Sequence, residues 1–295
     1  MPSPNTAPPR GTRWAAWGYR LGYRASRALP LAGALAVAER TADGCWRRAT
    51  PERTAVARNL SGVTGRRIDE QDDMVRETFR NFSRYLTEVF LMDRLSMPIL
   101  RMDGFAHLER ARRQGRGAIV LTGHLGNWEL GASLLSRLGV PMAAVALPHA
   151  DPNLDRLFTR QRGAGGVTTI PLGEHAARQG LEALRQGGCL GLVGDRPFDD
   201  HTVPVSLCGQ PVRLPRGPAL LSLRSRAPIV PTTLLREGRW AFRLCMEPAI
   251  APVVCGTLEE SIRMLSQRCA AALERQLGRA PEQWLLFTPV FPDRA

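Results

Sequence analysis

The stretch of sequence that decides the fold runs from residue 118 to residue 138 and reads AIVLTGHLGNWELGASLLSRL. Its first five residues, AIVLT, form a short apolar run of the kind that a buried strand uses. The residues from Asn127 to Leu138 predict a helix, because Asn127 is a good N-cap and a helical pattern follows it. A strand that leads through a glycine-rich turn into a helix is typical of an α/β sheet.

The same alternation continues downstream, where short apolar runs lie between stretches of helical pattern. Further strand candidates cover residues 142–147, 167–171, 189–194, 229–235 and 240–246. Helix candidates cover residues 152–162, 174–186, 216–226 and 258–277. The last strand candidate follows the turn Glu237-Gly238-Arg239, so we expect part of the sheet to be antiparallel. Residues 101–295 are therefore predicted to form an α/β domain with a mixed, mostly parallel sheet flanked by helices.

The first hundred residues contain no convincing strand. Residues 1–12 are rich in proline, serine and threonine and are predicted to be a disordered tail. Residues 13–100 are predicted to be an N-terminal helical region. It holds one helix over about 14–41 that Pro30 can break, a second that begins near Pro51 and a third over about 69–92.

A short apolar run, ALPLAGALAVA at residues 28–38, follows a flank that is rich in arginine. It is shorter than the roughly 18 apolar residues that a membrane-spanning helix needs. Trp14, Trp17, Tyr19 and Tyr23 suit the headgroup boundary of a bilayer, so we expect this region to associate with a membrane as an interfacial anchor. Two other interpretations stay open, a cleaved secretory signal and a helix packed on the domain.

The charge balance is strongly basic, with 40 basic and 27 acidic residues and a net charge of +13, and every basic residue is arginine. Such a surface is attracted to nucleic acid or to acidic lipid. Aromatic residues make up only 6% of the chain and no nucleic-acid-binding motif is present, so we expect an anionic membrane surface and no nucleic acid. The 6 cysteines are scattered, without a CxxC pair or zinc-finger spacing, so we expect reduced thiols and no metal.

The residues that suggest chemistry lie in the turn between the first strand and its helix, GHLGNWE at residues 123–129. His124 stands between two glycines, and Glu129 falls in the first helical turn, beside the chain end that carries the histidine. A carboxylate bonded to one imidazole nitrogen would fix the tautomer, while the other nitrogen removes a proton from an alcohol. Gly123 and Gly126 would let backbone N–H groups approach a carbonyl oxygen. Because no serine or cysteine nucleophile accompanies the pair, the attacking hydroxyl should belong to a substrate.

The segment HLGNWE resembles the His-x4-Glu motif of the late acyltransferases of lipid A biosynthesis, the lauroyl and myristoyl transferase group, and phosphatidylinositol mannoside acyltransferases look similar. The resemblance covers roughly residues 53–291. Further stretches support it: DPNLD at 151–155 with Arg160, Arg162 and Gly166 after it, GDR at 194–196, PRGP at 215–218, PIVP at 228–231, and PEQWL at 281–285. Asp195-Arg196 is more like the mannoside acyltransferases, because the lipid A enzymes often carry Asp-Gln there.

This resemblance implies the glycerolphosphate acyltransferase fold and transfer of a fatty acyl chain from an acyl carrier protein or coenzyme A thioester to a hydroxyl of a membrane glycolipid. The acceptor would be a lipid A precursor or a phosphatidylinositol mannoside, and no cofactor is implied. The protein would work at the cytoplasmic face of the plasma (inner) membrane, as a peripheral or monotopic protein.

The resemblance also suggests residue roles, with His124 as general base and Glu129 as its orienting partner. Arg162 is expected to stabilise the oxyanion or to bind a phosphate of donor or acceptor, since its planar fork suits both. Asp195 and Arg196 follow a buried-looking strand and should lie at the same sheet edge as His124, either in the substrate site or simply paired with each other. Asn127 and the two glycines of the turn are grouped with the substrate-binding residues.

Several alternatives stay open. The chain could acylate a lysophospholipid or glycerol phosphate, hydrolyse thioesters with water as the acceptor, or bind lipid or nucleic acid without catalysis. In the last case Glu129 would only cap its helix beside a structural histidine, and the pair could also bind a metal.

Overall fold

The computed structural model describes residues 10–292, with side chains from residue 18 onward. Within this range the helices are α1 (Arg10–Ala28), α2 (Leu31–Arg48), α3 (Thr50–Thr64), α4 (Asp73–Leu91), α5 (Phe105–Arg112), α6 (Trp128–Arg137), α7 (Pro152–Ala164), α8 (Ala176–Arg185), α9 (Gly217–Ser225) and α10 (Leu258–Leu277). The strands are β1 (Ile99–Asp103), β2 (Ala118–Thr122), β3 (Met142–Ala146), β4 (Val167–Pro171), β5 (Cys189–Val193), β6 (Thr202–Leu207), β7 (Gln210–Pro215), β8 (Ile229–Gly238) and β9 (Ala241–Met246).

The helix expected near the N-terminus is divided in two at Pro30. Proline has no backbone N–H and disfavours the helical conformation of the residue before it, so α1 ends at Ala28 and α2 begins at Leu31. Most of the predicted disordered tail lies outside the described residues. The part that is described belongs to α1, which begins at Arg10.

Ion pairs hold α1 and α2 against α4 and the segment after it. Asp43 of α2 accepts hydrogen bonds from both Arg76 and Arg80 of α4. Arg27 of α1 donates to Asp93 at 2.6 Å, just beyond the end of α4. Among the residues from 10 to 292, none of the helices combines the length and the apolar character that crossing a bilayer requires.

The main sheet has seven strands in the order β1-β9-β8-β2-β5-β3-β4. Strands β8, β2, β5, β3 and β4 run parallel to one another. Strand β9 pairs antiparallel with β8 through the turn at residues 237–239, as the sequence predicted. Helices cover both faces of the sheet over two apolar clusters, one centred on Leu134 and Phe242 and the other on Leu190 and Leu265. The predicted mixed, mostly parallel α/β sheet is confirmed.

Three strands were not predicted. Strand β1, at the junction of the two regions, is mostly exposed and pairs with β9 at the edge of the sheet. Strands β6 and β7 form a separate antiparallel hairpin that packs on α10. Each hairpin strand contains an internal proline, Pro204 or Pro211, which is tolerated because a two-stranded hairpin consists of edge strands.

The register between β2 and β5 determines where the candidate site residues lie. Thr122, the last residue of β2, pairs with Val193, the last residue of β5. The two strands are parallel neighbours, so the residues that follow them emerge side by side at the carboxyl edge of the sheet. His124 and Asp195 each stand two positions beyond this pair. Ligand sites of open α/β sheets form at this edge.

Candidate active site

The side chains of His124 and Asp195 meet at the carboxyl edge of the sheet. Nδ1 of His124 lies 2.8 Å from Oδ1 of Asp195, and the backbone N–H of His124 donates to Oδ2 at 2.7 Å. Burial alone would raise the pKa of the Asp195 carboxyl. The charge of the imidazole and hydrogen bonds from His124 and Trp284 outweigh burial and lower this pKa below its usual value. An ionised carboxylate in this position can hold a proton on Nδ1, which leaves Nε2 as the nitrogen that can accept a proton.

Trp284 supplies a further hydrogen bond to the same carboxylate. Its indole Nε1 donates to Oδ2 of Asp195 at 2.7 Å, and the residue is only 2% exposed. The backbone on either side of Trp284 clamps the histidine turn: the Leu285 N–H donates to the His124 carbonyl at 2.7 Å, and the Gly126 N–H donates to the Gln283 carbonyl at 2.9 Å. In the sequence, PEQWL resembles the C-terminal stretch of the family but does not by itself indicate a role for Trp284. A role for Trp284 could have been suspected because a buried indole N–H needs a partner.

The two glycines of the turn make room for protein atoms, and at Gly126 the structure corrects the expectation that its N–H faces an oxyanion. Gly126 has φ +65°, and a Cβ atom there would collide with the carbonyl oxygen of Leu234. Its N–H is already bonded to Gln283. At Gly123 a Cβ atom would lie 2.9 Å from Oδ2 of Asp195, so this glycine leaves space for the carboxylate. Neither glycine lines the apolar cavity that adjoins His124.

Asn127 caps helix α6 as predicted, but it does not reach a substrate site. Its Oδ1 accepts the Leu130 N–H at 2.9 Å, and its Nδ2 donates to Oε2 of Glu88 at 2.8 Å. The other oxygen of Glu88 pairs with Arg236. Asn127 is 2% exposed, so its polar groups are used within the protein.

Glu129 is paired with Arg162 of α7, which corrects the expectation that it orients His124. Nε of Arg162 donates to Oε2 at 2.8 Å, and Nη2 donates to Oε1 at 2.6 Å. Both residues are less than 10% exposed. Burial alone would lower the pKa of Arg162, but the hydrogen bonds and charge of Glu129 outweigh it and raise that pKa. The carboxylate beside the imidazole is therefore Asp195, and Glu129 holds a buried guanidinium.

An apolar cavity of about 630 Å³ adjoins these groups, and its wall includes His124, Glu129 and Arg162. The imidazole makes an edge contact with Trp128 at a centroid distance of 5.1 Å, and Trp128 stacks on Tyr85 of α4 at 4.3 Å. At its inner end the cavity is lined by buried core residues between α6 and the sheet, Leu135, Met142 and Leu244. Ligand cavities of this size and composition hold apolar molecules with a few polar groups at defined points.

Arg196 lies beside this arrangement without pairing with Asp195, so the alternative of a simple Asp195–Arg196 pair is wrong. Its guanidinium lies over the ring of Phe198, 5.5 Å from the centroid. The same ring is 6.5 Å from the imidazole of His124. Arg196 also contributes to the cavity wall. In the described range, no group of three or more histidine, cysteine or acidic residues has an arrangement that could hold a metal ion.

Comparison with known proteins gives consistent relatives. A family model described as bacterial lipid A biosynthesis acyltransferase matches residues 9–292. The chain is 28% identical to a phosphatidylinositol mannoside acyltransferase of Mycolicibacterium smegmatis, over 95% of this chain and 92% of that protein. It is 27% identical to one of the same name from Mycobacterium tuberculosis, over 92% and 87%. It is 25% identical to a lipid A biosynthesis palmitoleoyltransferase of Escherichia coli, over 77% and 74%.

The α/β sheet, the apolar cavity at its carboxyl edge and these relatives together define an acyltransferase. More narrowly, the chain belongs to the bacterial lipid A biosynthesis acyltransferase family, whose model spans almost its whole length. The resemblance drawn from HLGNWE and the accompanying stretches is confirmed.

Proposed function

We propose that this acyltransferase moves a fatty acyl chain from an acyl carrier protein or coenzyme A thioester to a hydroxyl of a membrane glycolipid, with His124 as the general base. The observation that carries this proposal is the position of one imidazole. Its Nδ1 is bonded to the buried carboxylate of Asp195 at 2.8 Å, and the residue lines a mainly apolar cavity of about 630 Å³. A proton acceptor beside a cavity suited to hydrocarbon is what acyl transfer to an alcohol requires.

In this reaction Nε2 of His124 removes the proton of the acceptor hydroxyl as its oxygen attacks the thioester carbonyl. A new C–O bond forms, and the carbonyl oxygen takes the negative charge of the tetrahedral intermediate. When the intermediate collapses, the C–S bond breaks, and the departing sulfur receives the proton from Nε2. Asp195 holds Nδ1 throughout and stabilises the imidazolium. General base catalysis of this kind raises the rate about 10²–10⁴-fold.

Arg162 is the candidate for stabilising the charge on the carbonyl oxygen. Its Nε and Nη2 both donate to the Glu129 carboxylate, which fixes the orientation of the guanidinium. The Nη1 atom takes no part in this pair of hydrogen bonds. Both residues line the cavity that contains His124. A fixed charge in a largely apolar cavity stabilises a developing oxyanion more strongly than it would in water. Glu129 then acts through Arg162 as a positioning residue.

An acceptor of the phosphatidylinositol mannoside type is favoured over a lipid A precursor. The relatives named for the mannoside lipid align over more than 90% of this chain, whereas the Escherichia coli enzyme aligns over 77%. Asp195-Arg196 at the end of β5 agrees with this choice, because the lipid A enzymes often carry Asp-Gln there. The lipid A precursor is the second acceptor to be tested.

We further propose that α1 and α2 bind an anionic membrane surface, at the cytoplasmic face. Leu21, Leu29 and Val37 on these helices and the turn between them are more than 40% exposed. Exposed arginines, Arg24 and Arg40, lie on the same two helices. Apolar side chains flanked by cations are typical of helices that lie in the interface of an acidic bilayer.

The function is tested with the purified chain, radiolabelled palmitoyl thioesters of coenzyme A and acyl carrier protein, and four separate conditions. These contain phosphatidylinositol mannoside, a lipid A precursor, lysophosphatidic acid, or no acceptor. We expect label on the mannoside lipid and loss of transfer in His124→Ala, while His175→Ala, which alters an exposed histidine, keeps wild-type activity. Release of free fatty acid without any acceptor would identify a thioesterase. Transfer that survives in His124→Ala would refute the proposed base.

A further inference from the structure

A second groove, of about 520 Å³, adjoins the apolar cavity and is lined by residues outside the proposed catalytic group. Its walls come from the end of β5, the β6–β7 hairpin and the segment after Trp284. We call it the proline-walled groove after five of its lining residues, Pro197, Pro204, Pro211, Pro289 and Pro292. Proline has a fixed φ angle, so walls of this composition hold their shape before a ligand arrives.

The proline-walled groove and the apolar cavity share two wall residues, Arg196 and Thr288. Arg196 immediately follows Asp195, whose carboxylate holds His124. A ligand whose apolar part fills the cavity and whose reacting atom lies at His124 can therefore extend its polar part into the groove. The groove is the continuation of the reaction site toward solvent on this side.

Two guanidinium groups line the groove. Arg196 is held by its contact with the Phe198 ring. Arg213 of β7 extends across the hairpin, where its Nε donates to Oγ1 of Thr202 at 2.7 Å and its Nη2 to the Thr202 carbonyl oxygen at 3.5 Å. Within residues 18–292 neither guanidinium forms an ion pair with a carboxylate. Asp199, three positions after Arg196, instead lies 3.3 Å from Nδ1 of His201.

We propose that the proline-walled groove binds a phosphate group of a substrate through Arg196 and Arg213, a proposal that rests on the function above. Guanidinium N–H groups donate charge-assisted hydrogen bonds to phosphate oxygens, and two guanidinium groups on the walls of one groove suit a dianion or a diphosphate. Thr288 lines both the groove and the cavity, and a threonine hydroxyl is able to donate a further hydrogen bond to phosphate. The ligand class is a phosphate ester that carries its acyl or acceptor group into the neighbouring cavity.

Two substrates of the proposed reaction carry such a phosphate. A thioester donor has phosphate on its pantetheine arm, and a phosphoglycolipid acceptor has a phosphodiester beside its sugar. The shared chemistry is a phosphate held a short distance from the reacting atom. Kinetic experiments with and without phosphate on each substrate distinguish the two sources.

The test compares Arg213→Gln with Arg268→Gln, which removes the same charge from an exposed position on α10. If the donor phosphate is bound, Arg213→Gln should raise KM for palmitoyl coenzyme A about 10-fold, the cost of one charge-assisted hydrogen bond, and leave KM for S-palmitoyl pantetheine unchanged. If the acceptor phosphate is bound, KM for phosphatidylinositol mannoside should rise with either donor, while KM for a phosphate-free glycosyl diacylglycerol should not. KM values in Arg213→Gln that match those in Arg268→Gln for every substrate would overturn the proposal.

A binding measurement separates this proposal from the proposed function. Calorimetry with coenzyme A, pantetheine and inositol 1-phosphate requires no turnover, so a preference for a phosphorylated probe that Arg213→Gln weakens would support the groove even if no acyl transfer occurred. Arg213→Lys keeps the charge but loses the planar fork, and it should bind with intermediate affinity. A wild-type protein that binds neither phosphorylated probe better than pantetheine would refute the groove, whatever its activity.

Discussion

Trp284 donates its indole N–H to the carboxylate of Asp195 across 89 positions of sequence, at 2.7 Å. The same carboxylate holds both the ring and the backbone N–H of His124. Its orientation is therefore set from three directions, and the segment after α10 is part of the site. Buried carboxylates with several donors stay ionised and keep one geometry.

Replacing Trp284 with phenylalanine should slow transfer without preventing folding. Trp284→Phe keeps most of the apolar volume but removes a donor to an ionised group, so we expect kcat to fall about 10-fold with KM nearly unchanged. The matched control is Trp240→Phe, because the indole nitrogen of Trp240 has no hydrogen-bond partner among the described residues. Steady-state kinetics of both variants measure the difference, and an equal loss of kcat in the two would contradict a positioning role.

Asp195→Asn should reduce transfer by about 10²–10⁴-fold, because an amide can neither stabilise the imidazolium nor enforce the tautomer. The same variant tests the lowered pKa of Asp195. A folded-state pKa below the unfolded value gives stability that is present above the unfolded pKa of about 4 and is lost as pH falls through the folded pKa. The free energy of unfolding of the wild type should therefore exceed that of Asp195→Asn by less as the pH falls from about 5 to about 2. Urea denaturation of both proteins at each pH measures this difference. A gap that widens on acidification would be evidence against an ionised Asp195.

Glu129→Gln should destabilise the protein, since it leaves the buried guanidinium of Arg162 without a counter-charge. We expect the free energy of unfolding to fall by about 3 kcal/mol, against less than about 1 kcal/mol for Glu182→Gln, which breaks the exposed pair with Arg185. Chemical denaturation of both variants measures this. If Glu129→Gln were as stable as the wild type, the pair with Arg162 would not be the buried charge pair that the structure indicates.

Ala132→Phe should shorten the acyl chain that the enzyme prefers. Ala132 of α6 lines the cavity and packs on its apolar core, so a phenyl ring there takes volume from the inner end. We expect kcat/KM for palmitoyl donors to fall more than 10-fold relative to lauroyl donors, because methylenes that cannot be buried lose about 0.8 kcal/mol each. Ala106→Phe, on the exposed face of α5, is the control. An unchanged chain-length preference would mean that the acyl chain lies elsewhere.

Combined substitution of Leu21, Leu29 and Val37 with serine should weaken sedimentation with vesicles that contain anionic lipid. Their exposed fractions are 70%, 41% and 43%, so the change removes apolar surface without disturbing the core. Val254→Ser, at a position 76% exposed in the loop before α10, should have no effect. Binding of the wild type should also fall with added salt, since charges are screened beyond about 8–10 Å. Equal binding of both variants would exclude α1 and α2 as the docking surface.

The central part of the fold could be predicted from sequence because its signals are local. The AIVLT run, the Asn127 cap and the turn before β9 each specify an element within a few residues. The hairpin of β6 and β7 could not be predicted in this way, because its internal prolines usually indicate a break. Strand β1 is only five residues long and mostly exposed, so its run ILRMD is too short to specify a strand by its pattern alone.

The candidate site was predicted in position but not in its pairing. The strand–helix turn located His124, and the end of β5 located Asp195 at the same edge. Sequence spacing favoured Glu129 as the partner because it is near in the chain, but Arg162 binds that carboxylate from 33 positions away. Contacts of this range depend on how helices dock, and no local pattern encodes them.

The apolar cavity is enclosed by both the N-terminal helices and the sheet domain: Tyr19 of α1 and Tyr85 of α4 face the same space as His124. Neither part closes that space alone. A fragment cut between α4 and β1 would expose its part of the apolar cavity wall to water. Exposed apolar surface of this kind associates with other chains. Helix α1, which is proposed to meet the lipid layer, thus also contributes Tyr19 to the wall of the reaction chamber.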